Sequence, residues 1–255
     1  ISAAVTEPTA LTAGISGELL TCYGDSDGTV TLTPTGGTGA YTYAWSNGQS
    51  GINATTLVAG TYTVTLTDAN SCSFTASAAI TEPAELTAGI AGDALSCNGD
   101  SDGTVTLTPS GGTGAYTYAW SNGQSGMNAT ALVAGNYTVT LTDANSCSFT
   151  ISAAVTEPTA LTAGISGDAL SCNGDSDGTV TLTPSGGTGA YTYSWSNGQT
   201  TMDLSDLSAG TYTVTLTDGN ACSFTTSAAV TQPDALLALV TSSVNVSCNG
   251  LSDGS

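Results

Sequence analysis

The sequence predicts an all-β chain built from tandem sandwich domains, and three observations predict it. A unit of 75 residues recurs: Trp45, Trp120 and Trp195 keep that step, as do Cys22, Cys97 and Cys172, and again Cys72, Cys147 and Cys222. Within the unit apolar and polar residues alternate with a period of two, the pattern of half-buried antiparallel strands. Thr, Ser, Gly and Ala make up most of the remainder, which suits strands and turns better than helices. No segment carries a helical period.

The first unit shows the reading element by element. A short run near 10–15 opens it. Val30 and Leu32 alternate with Thr29, Thr31 and Thr33, predicting a strand over 28–34. Tyr41, Tyr43 and Trp45 share one face of a strand over 40–46. A fourth run lies near 52–57. Tyr62, Val64 and Leu66 alternate with threonines from Thr61 to Thr67, giving a strand over 61–67. Cys72, Phe74, Ala76, Ala78 and Ile80 line one face of the last, 72–81. Asp-Ser-Asp-Gly, Gly-Gly-Thr-Gly, Ser-Asn-Gly, Val-Ala-Gly and Asp-Ala-Asn supply the turns between them. Six or seven short strands with Trp on the third read as an immunoglobulin-like sandwich, and Leu-Val-Ala-Gly-Thr-Tyr resembles a tyrosine corner at the fifth. The expected core residues are therefore Trp45, Trp120 and Trp195 with Tyr62, Tyr137 and Tyr212.

Each unit closes on Thr-Glu-Pro or Thr-Gln-Pro, at Pro8, Pro83, Pro158 and Pro233. Cutting there predicts the end of a preceding repeat (1–8), three full repeats (9–83, 84–158, 159–233) and the start of a following one (234–255). Units of this size are small domains, whereas solenoid repeats are shorter. Tandem immunoglobulin-like domains in an elongated rod are the expected architecture.

Charge excludes whole classes of function. The chain has no Lys, Arg or His against 20 Asp plus Glu, a formal net charge of −20. Without a cation it neutralises no phosphate backbone, so nucleic acid is not a partner, and anionic lipid does not attract it. No direct membrane contact is expected. Mechanisms that need a side-chain imidazole, amine or guanidinium are absent, so no enzyme is expected.

Cys-Asn-Gly-Asp-Ser-Asp-Gly-Thr-Val, then Gly-Gly-Thr-Gly-Ala-Tyr-Thr-Tyr-Ala-Trp-Ser-Asn-Gly, then Ala-Gly-Asn-Tyr-Thr-Val-Thr-Leu-Thr-Asp-Ala-Asn-Ser-Cys resembles the SprB repeat, itself similar to PKD-type immunoglobulin-like domains. One departure is Ala at 40, 115 and 190, where the family carries Pro before Tyr. The resemblance implies a cell-surface adhesin filament of gliding, Gram-negative Bacteroidetes, exported by the type IX secretion route. The expected function is a structural and adhesive repeat region of a long extracellular filament. The alternative is a carbohydrate-binding or spacer array attached to a secreted enzyme. Expected partners are neighbouring repeats of the same chain, then surface polysaccharide or other filaments.

Three sets of residues are candidate sites. The aromatic row Tyr41, Tyr43 and Trp45 is either a sugar platform or core, and core is favoured because Val64 and Leu66 need facing partners. The pairs Asp25 and Asp27, Asp100 and Asp102, and Asp175 and Asp177 have the spacing of a calcium loop's first ligands. The final Glu of such a loop is missing, so calcium is weighed against a solvated turn, with the Glu-Pro linker and the Asp-Ala-Asn turn as further oxygen donors. Read as a glycosidase dyad, the pairs repeat identically in every unit with no cleft evident from the sequence, and catalysis is not expected.

The third set is the seven cysteines, which in an extracellular chain imply bridges. Pairing within a repeat (Cys22 with Cys72) is the obvious pattern, but strand direction opposes it. In such a sandwich the turn after the first strand lies at one end and the turn before the last strand at the other. Stacked head to tail, the first turn of one repeat meets the last turn of the next, which favours Cys22–Cys147 and Cys97–Cys222. Cys72, Cys172 and Cys248 would then pair outside this sequence. Within-repeat pairs and neighbouring pairs such as Cys72–Cys97 stay open at this point.

Overall fold

A computed structural model describes residues 5–239 and residue 249. The described residues form strands and no helix. The first repeat contains β1 (Thr12–Gly17), β2 (Gly28–Thr35), β3 (Thr42–Trp45), β4 (Ala54–Leu57), β5 (Gly60–Thr67) and β6 (Ser73–Ile80). The second contains β7 (Thr87–Gly92), β8 (Gly103–Ser110), β9 (Thr117–Trp120), β10 (Ala129–Leu132), β11 (Gly135–Thr142) and β12 (Ser148–Val155). The third contains β13 (Thr162–Gly167), β14 (Gly178–Ser185), β15 (Thr192–Trp195), β16 (Leu204–Leu207), β17 (Gly210–Thr217) and β18 (Ser223–Val230). The chain divides into two compact units. One runs from the start to Ala94 and again from Ser101 to Thr156; the other takes Leu95–Asp100 and everything from Glu157 onward.

Each repeat makes two three-stranded sheets, in the first β1-β2-β4 and β3-β5-β6, with every pairing antiparallel. In immunoglobulin lettering these are A-B-E and C-F-G, a sandwich without strand D. The alternation read from the sequence sets the layers. Val30, Leu32, Val64 and Leu66 are buried, and Val30, Leu32, Trp45, Leu57, Val64 and Ile80 pack into one cluster that Leu20 closes from the loop after β1. Tyr62 lies half-buried against this cluster and its hydroxyl donates to the carbonyl of Val58 at 3.1 Å, the tyrosine corner at the start of strand F. Tyr137 and Tyr212 do the same to Val133 and Ser208 at 2.9 Å.

The fourth strand departs from a period of two. Both Ala54 and Leu57 are buried, with two exposed residues between them. Gly28 stands opposite Leu57 and Val30 opposite Ala54, so β4 carries one residue more than β2 over that stretch. Thr56 absorbs it with φ of 59°, and Ala131 and Asp206 do so in the other repeats. This is a β-bulge, and it turns two non-alternating side chains to the core. β4 begins only at Ala54, opposite Val30, so the far half of β2 has no neighbour on that side. Asn53 Oδ1 accepts the Leu32 N–H at 3.2 Å in place of a strand, and Pro34, which has no N–H to satisfy, follows.

Gly17 ends β1 where the sheets close on each other. A Cβ there would sit 2.4 Å from the Ala79 carbonyl oxygen, so only glycine lets strand A lie against strand G.

Candidate functional site

The features that repeat in sequence converge on two turns. The first is the F–G turn, between β5 and β6. Asp68, following β5, is 6% exposed, and its carboxylate accepts the N–H groups of Thr38, Asn70 and Cys72, each at 2.9 Å. Asp143 and Asp218 hold the same three positions in their own repeats at 2.8 to 2.9 Å. One carboxylate therefore ties the Gly-rich loop after β2 to the hairpin and fixes the backbone of the cysteine. Burial works to raise the pKa of Asp68 and Asp218, but the backbone donors outweigh it and both carboxyls titrate below their ordinary value. The residue before the cysteine takes a left-handed conformation in each copy: Ser71 at φ 66°, Ser146 at 70° and Ala221 at 66°.

Sequence reasoning read Asp-Ala-Asn as a turn and as a source of further oxygen donors for calcium, and did not single out Asp68, Asp143 or Asp218 as the residue that holds the turn. The available signal was an Asp directly after a strand, followed two and four residues later by Asn and Cys. That spacing lets one side chain accept from its own backbone.

The second is the A–B turn, between β1 and β2. Asp25 Oδ2 accepts the Cys22 N–H at 3.2 Å, and Asp27 accepts both the N–H and the hydroxyl of Thr21. The Thr21 hydroxyl is the main reason Asp27 titrates low; Ser171 does the same for Asp177. Asp100 and Asp175 donate their own N–H groups to Cys97 and Cys172, both at 3.3 Å, and Asp102 stands just before β8. Linker residues brace the turn: Gly24 N–H donates to Glu82 at 2.9 Å, Gly99 N–H to Glu157 at 2.8 Å and Gly174 N–H to Gln232 at 3.0 Å. Among the described residues, no three His, Cys, Asp or Glu side chains gather as a metal site would require. Asp25 and Asp27 shape the first of these turns through their contacts to Cys22 and Thr21.

The two turns meet through sulfur. Cys22 is bonded to Cys147 with Cα atoms 5.7 Å apart, and Cys97 to Cys222 with Cα atoms 5.6 Å apart. Each bridge joins the A–B turn of one repeat to the F–G turn of the next, and each lies within a single compact unit. A hydrogen bond accompanies each: Asn145 Nδ2 donates to the Thr21 carbonyl and Asn220 Nδ2 to the Ser96 carbonyl, both at 2.9 Å. Cys72 and Cys172 are unbridged and exposed. Cys248 lies outside the described residues.

Beside the first bridge is an open cleft of about 430 Å³, where Asp25 and Glu85 face Tyr23, Leu86 and Phe149. Beside the second is one of about 410 Å³ in which Asn98 and Ala160 stand where Tyr23 and Glu85 stood. The cleft chemistry is not shared between repeats; the bridge and its Asn are. Of the aromatic row, Trp45 is buried and donates Nε1–H to the Gly51 carbonyl at 2.8 Å, while Tyr41 is half-buried with its hydroxyl on the Gly36 carbonyl at 2.6 Å. Trp120 and Trp195 are buried in the same way. Tyr43 packs against the core cluster, so no flat aromatic platform is presented.

The SprB repeat family matches this chain three times, at residues 20–50, 95–125 and 170–200. Each match spans the A–B turn and strands B and C, including the first cysteine and the Trp. No curated protein matches the chain. Among solved structures, the three N-terminal domains of the bacteriophage RB49 highly immunogenic outer capsid protein are 16% identical with a TM-score of 0.41, over 88% of this chain and 100% of that one. A three-immunoglobulin fragment of titin is 12% identical with a TM-score of 0.41, over 90% and 100%. Immunoglobulin domains 1–5 of Sidekick-1 are 13% identical with a TM-score of 0.39, over 89% and 60%. The immunoglobulin-like assignment stands on the strand order described above.

Proposed function

The chain is a run of SprB-type repeats, and from that premise we propose that it is a load-bearing repeat region of an adhesin-type protein held outside the cell. One observation carries the reading: successive repeats are joined not only by backbone but by a disulfide from turn to turn. A linker that needs only to space two domains requires no second covalent link. One that transmits force gains from it, because backbone and bridge then share the load. Disulfides also persist only in an oxidising compartment, which supports an extracellular place. Net charge of −20 with no cation keeps such a surface hydrated and discourages collapse onto itself or onto anionic surfaces.

The finer reading follows from the family: display on the surface of a Gram-negative gliding bacterium, export by the type IX route, and adhesion as part of a long filament. An antibody raised against this segment tests it. Intact producing cells should bind the antibody, and cells whose gene lacks the repeats should attach less to a solid surface. Labelling confined to lysed cells would overturn the extracellular placement, and unchanged attachment would overturn the adhesive role.

A further inference from the structure

We infer that the two bridges load the three repeats in parallel, so that no single repeat lengthens the chain by unfolding. In tandem domains joined by backbone alone, tension passes through each domain in turn, and each releases its full length when it unfolds. Here the bridges shunt tension past the core strands. This holds for any tension on the chain, whether or not the protein is an adhesin.

Tension applied ahead of β1 reaches Cys22 after that one strand and crosses there to Cys147. Tension applied beyond β18 reaches Cys222 after that one strand and crosses to Cys97. Between the two bridges the backbone offers three connections. The direct one, from Cys97 to Cys147, is β8 to β11 of the second repeat. The other two are straps, each held short by a folded neighbour.

In the first repeat Leu20 N–H donates to the Thr81 carbonyl at 2.9 Å and Gly24 N–H to Glu82 at 2.9 Å, which pins the start of the linker beside Cys22. From Glu82 to Cys97 there remain 15 residues, β7 among them, with a reach of roughly 50 Å. In the third repeat Gly187 N–H donates to the Thr159 carbonyl at 2.9 Å. Beside it Asp218 accepts from Thr188 at 2.8 Å and Cys222 at 2.9 Å, so Thr159 is pinned close to Cys222. From Cys147 to Thr159 there remain 12 residues, β12 among them, with a reach of roughly 40 Å.

Strand backbone already stands at about 3.3 Å per residue against a limit of about 3.6 Å, so β7 and β12 have little left to give. The two run side by side: a Cβ on Gly92 would stand 2.4 Å from the Ala154 carbonyl oxygen. If the second repeat unfolds, its core strands go slack while the straps hold the bridges together. If the first or third unfolds, the folded second repeat still spans the bridges. They part only when all three have given way. Strands A and G bear the tension; B, C, E and F build the core.

The test stretches the full chain between tags at its two ends in optical tweezers, after capping the free thiols with iodoacetamide under non-reducing conditions. With both bridges closed, the first two repeats to unfold should each add less than about 30 Å, and the third should release roughly 130 Å. With both bridges reduced, the same chain should show three separate steps, each on the order of 200 Å. Cys97→Ser with Cys222→Ser leaves the first bridge alone. That variant should show one long step, from the third repeat, because the core strands of the other two stay off the path. Three long steps from the chain with both bridges would overturn the proposal, as would more than one from the single-bridge variant. The doubly bridged chain decides by itself if circular dichroism shows that either control has not folded.

Discussion

At the residue scale the decisive side chain is the F–G aspartate. It is acidic, almost without exposure, and satisfied chiefly by backbone donors, so its charged form belongs to the folded state. Because the pKa of Asp68 and Asp218 is depressed on folding, their stabilisation is fully present above the unfolded carboxyl value of about 4 and is lost as pH falls through the lower, folded one. Asp218→Asn turns one acceptor into a donor facing N–H groups. The variant should melt below the wild type at neutral pH, and the gap should narrow as pH falls below about 4. Thermal melts of both proteins across that range measure it, and a gap independent of pH would contradict the assignment. Its local half leaves a mark in the sequence, an Asp after a strand with Asn and Cys two and four residues on, but the contact to Thr38, thirty positions away, leaves none.

At the scale of the element, strands B, C, F and G were legible and strand E was not fully so. Alternation of Val30 and Leu32, or Val64 and Leu66, fixes both period and face, since one residue of slip would move the whole set to solvent. In β4 the bulge at Thr56 breaks that logic, and positive φ at a Thr, an Ala and an Asp leaves no compositional mark. The Gly-rich loop shows the reverse, where composition does report conformation. Gly36 has φ of +73°, and a Cβ on it would stand 2.0 Å from the Ala10 carbonyl oxygen. Gly36→Ala therefore combines left-handed strain with a backbone clash and should cost more than about 1 kcal/mol. Urea titration followed by tryptophan fluorescence reads the change, with Trp45 reporting on that repeat. Of the aromatic row, Trp45 is buried in the core while Tyr41 and Tyr43 are half-buried, Tyr41 just outside strand C and Tyr43 within it.

At the scale of the whole molecule, composition governs behaviour. With no Lys or Arg, trypsin should leave the chain at full length on a gel, native or denatured, while a protease that cuts at aromatic residues degrades the denatured form. With 20 like charges and none opposed, added sodium chloride should raise the melting temperature through screening alone. A melting temperature that falls with salt would show that repulsion is not what opposes folding here. The two bridges also change what the chain is when it is not folded. They overlap in sequence, for Cys97 lies inside the span of Cys22–Cys147 and Cys147 inside that of Cys97–Cys222. Fused at sulfur, Cys22 with Cys147 is one knot and Cys97 with Cys222 another, and the backbone passes between the knots three times, through 22–97, 97–147 and 147–222. The unfolded protein is a three-ply cord. Drawn taut, it extends only as far as its shortest ply, roughly 170 Å at full backbone reach, while the two longer plies hang slack. A protease that severs any one ply, or any two, leaves the ends tied, and parting them takes a cut in each of the three.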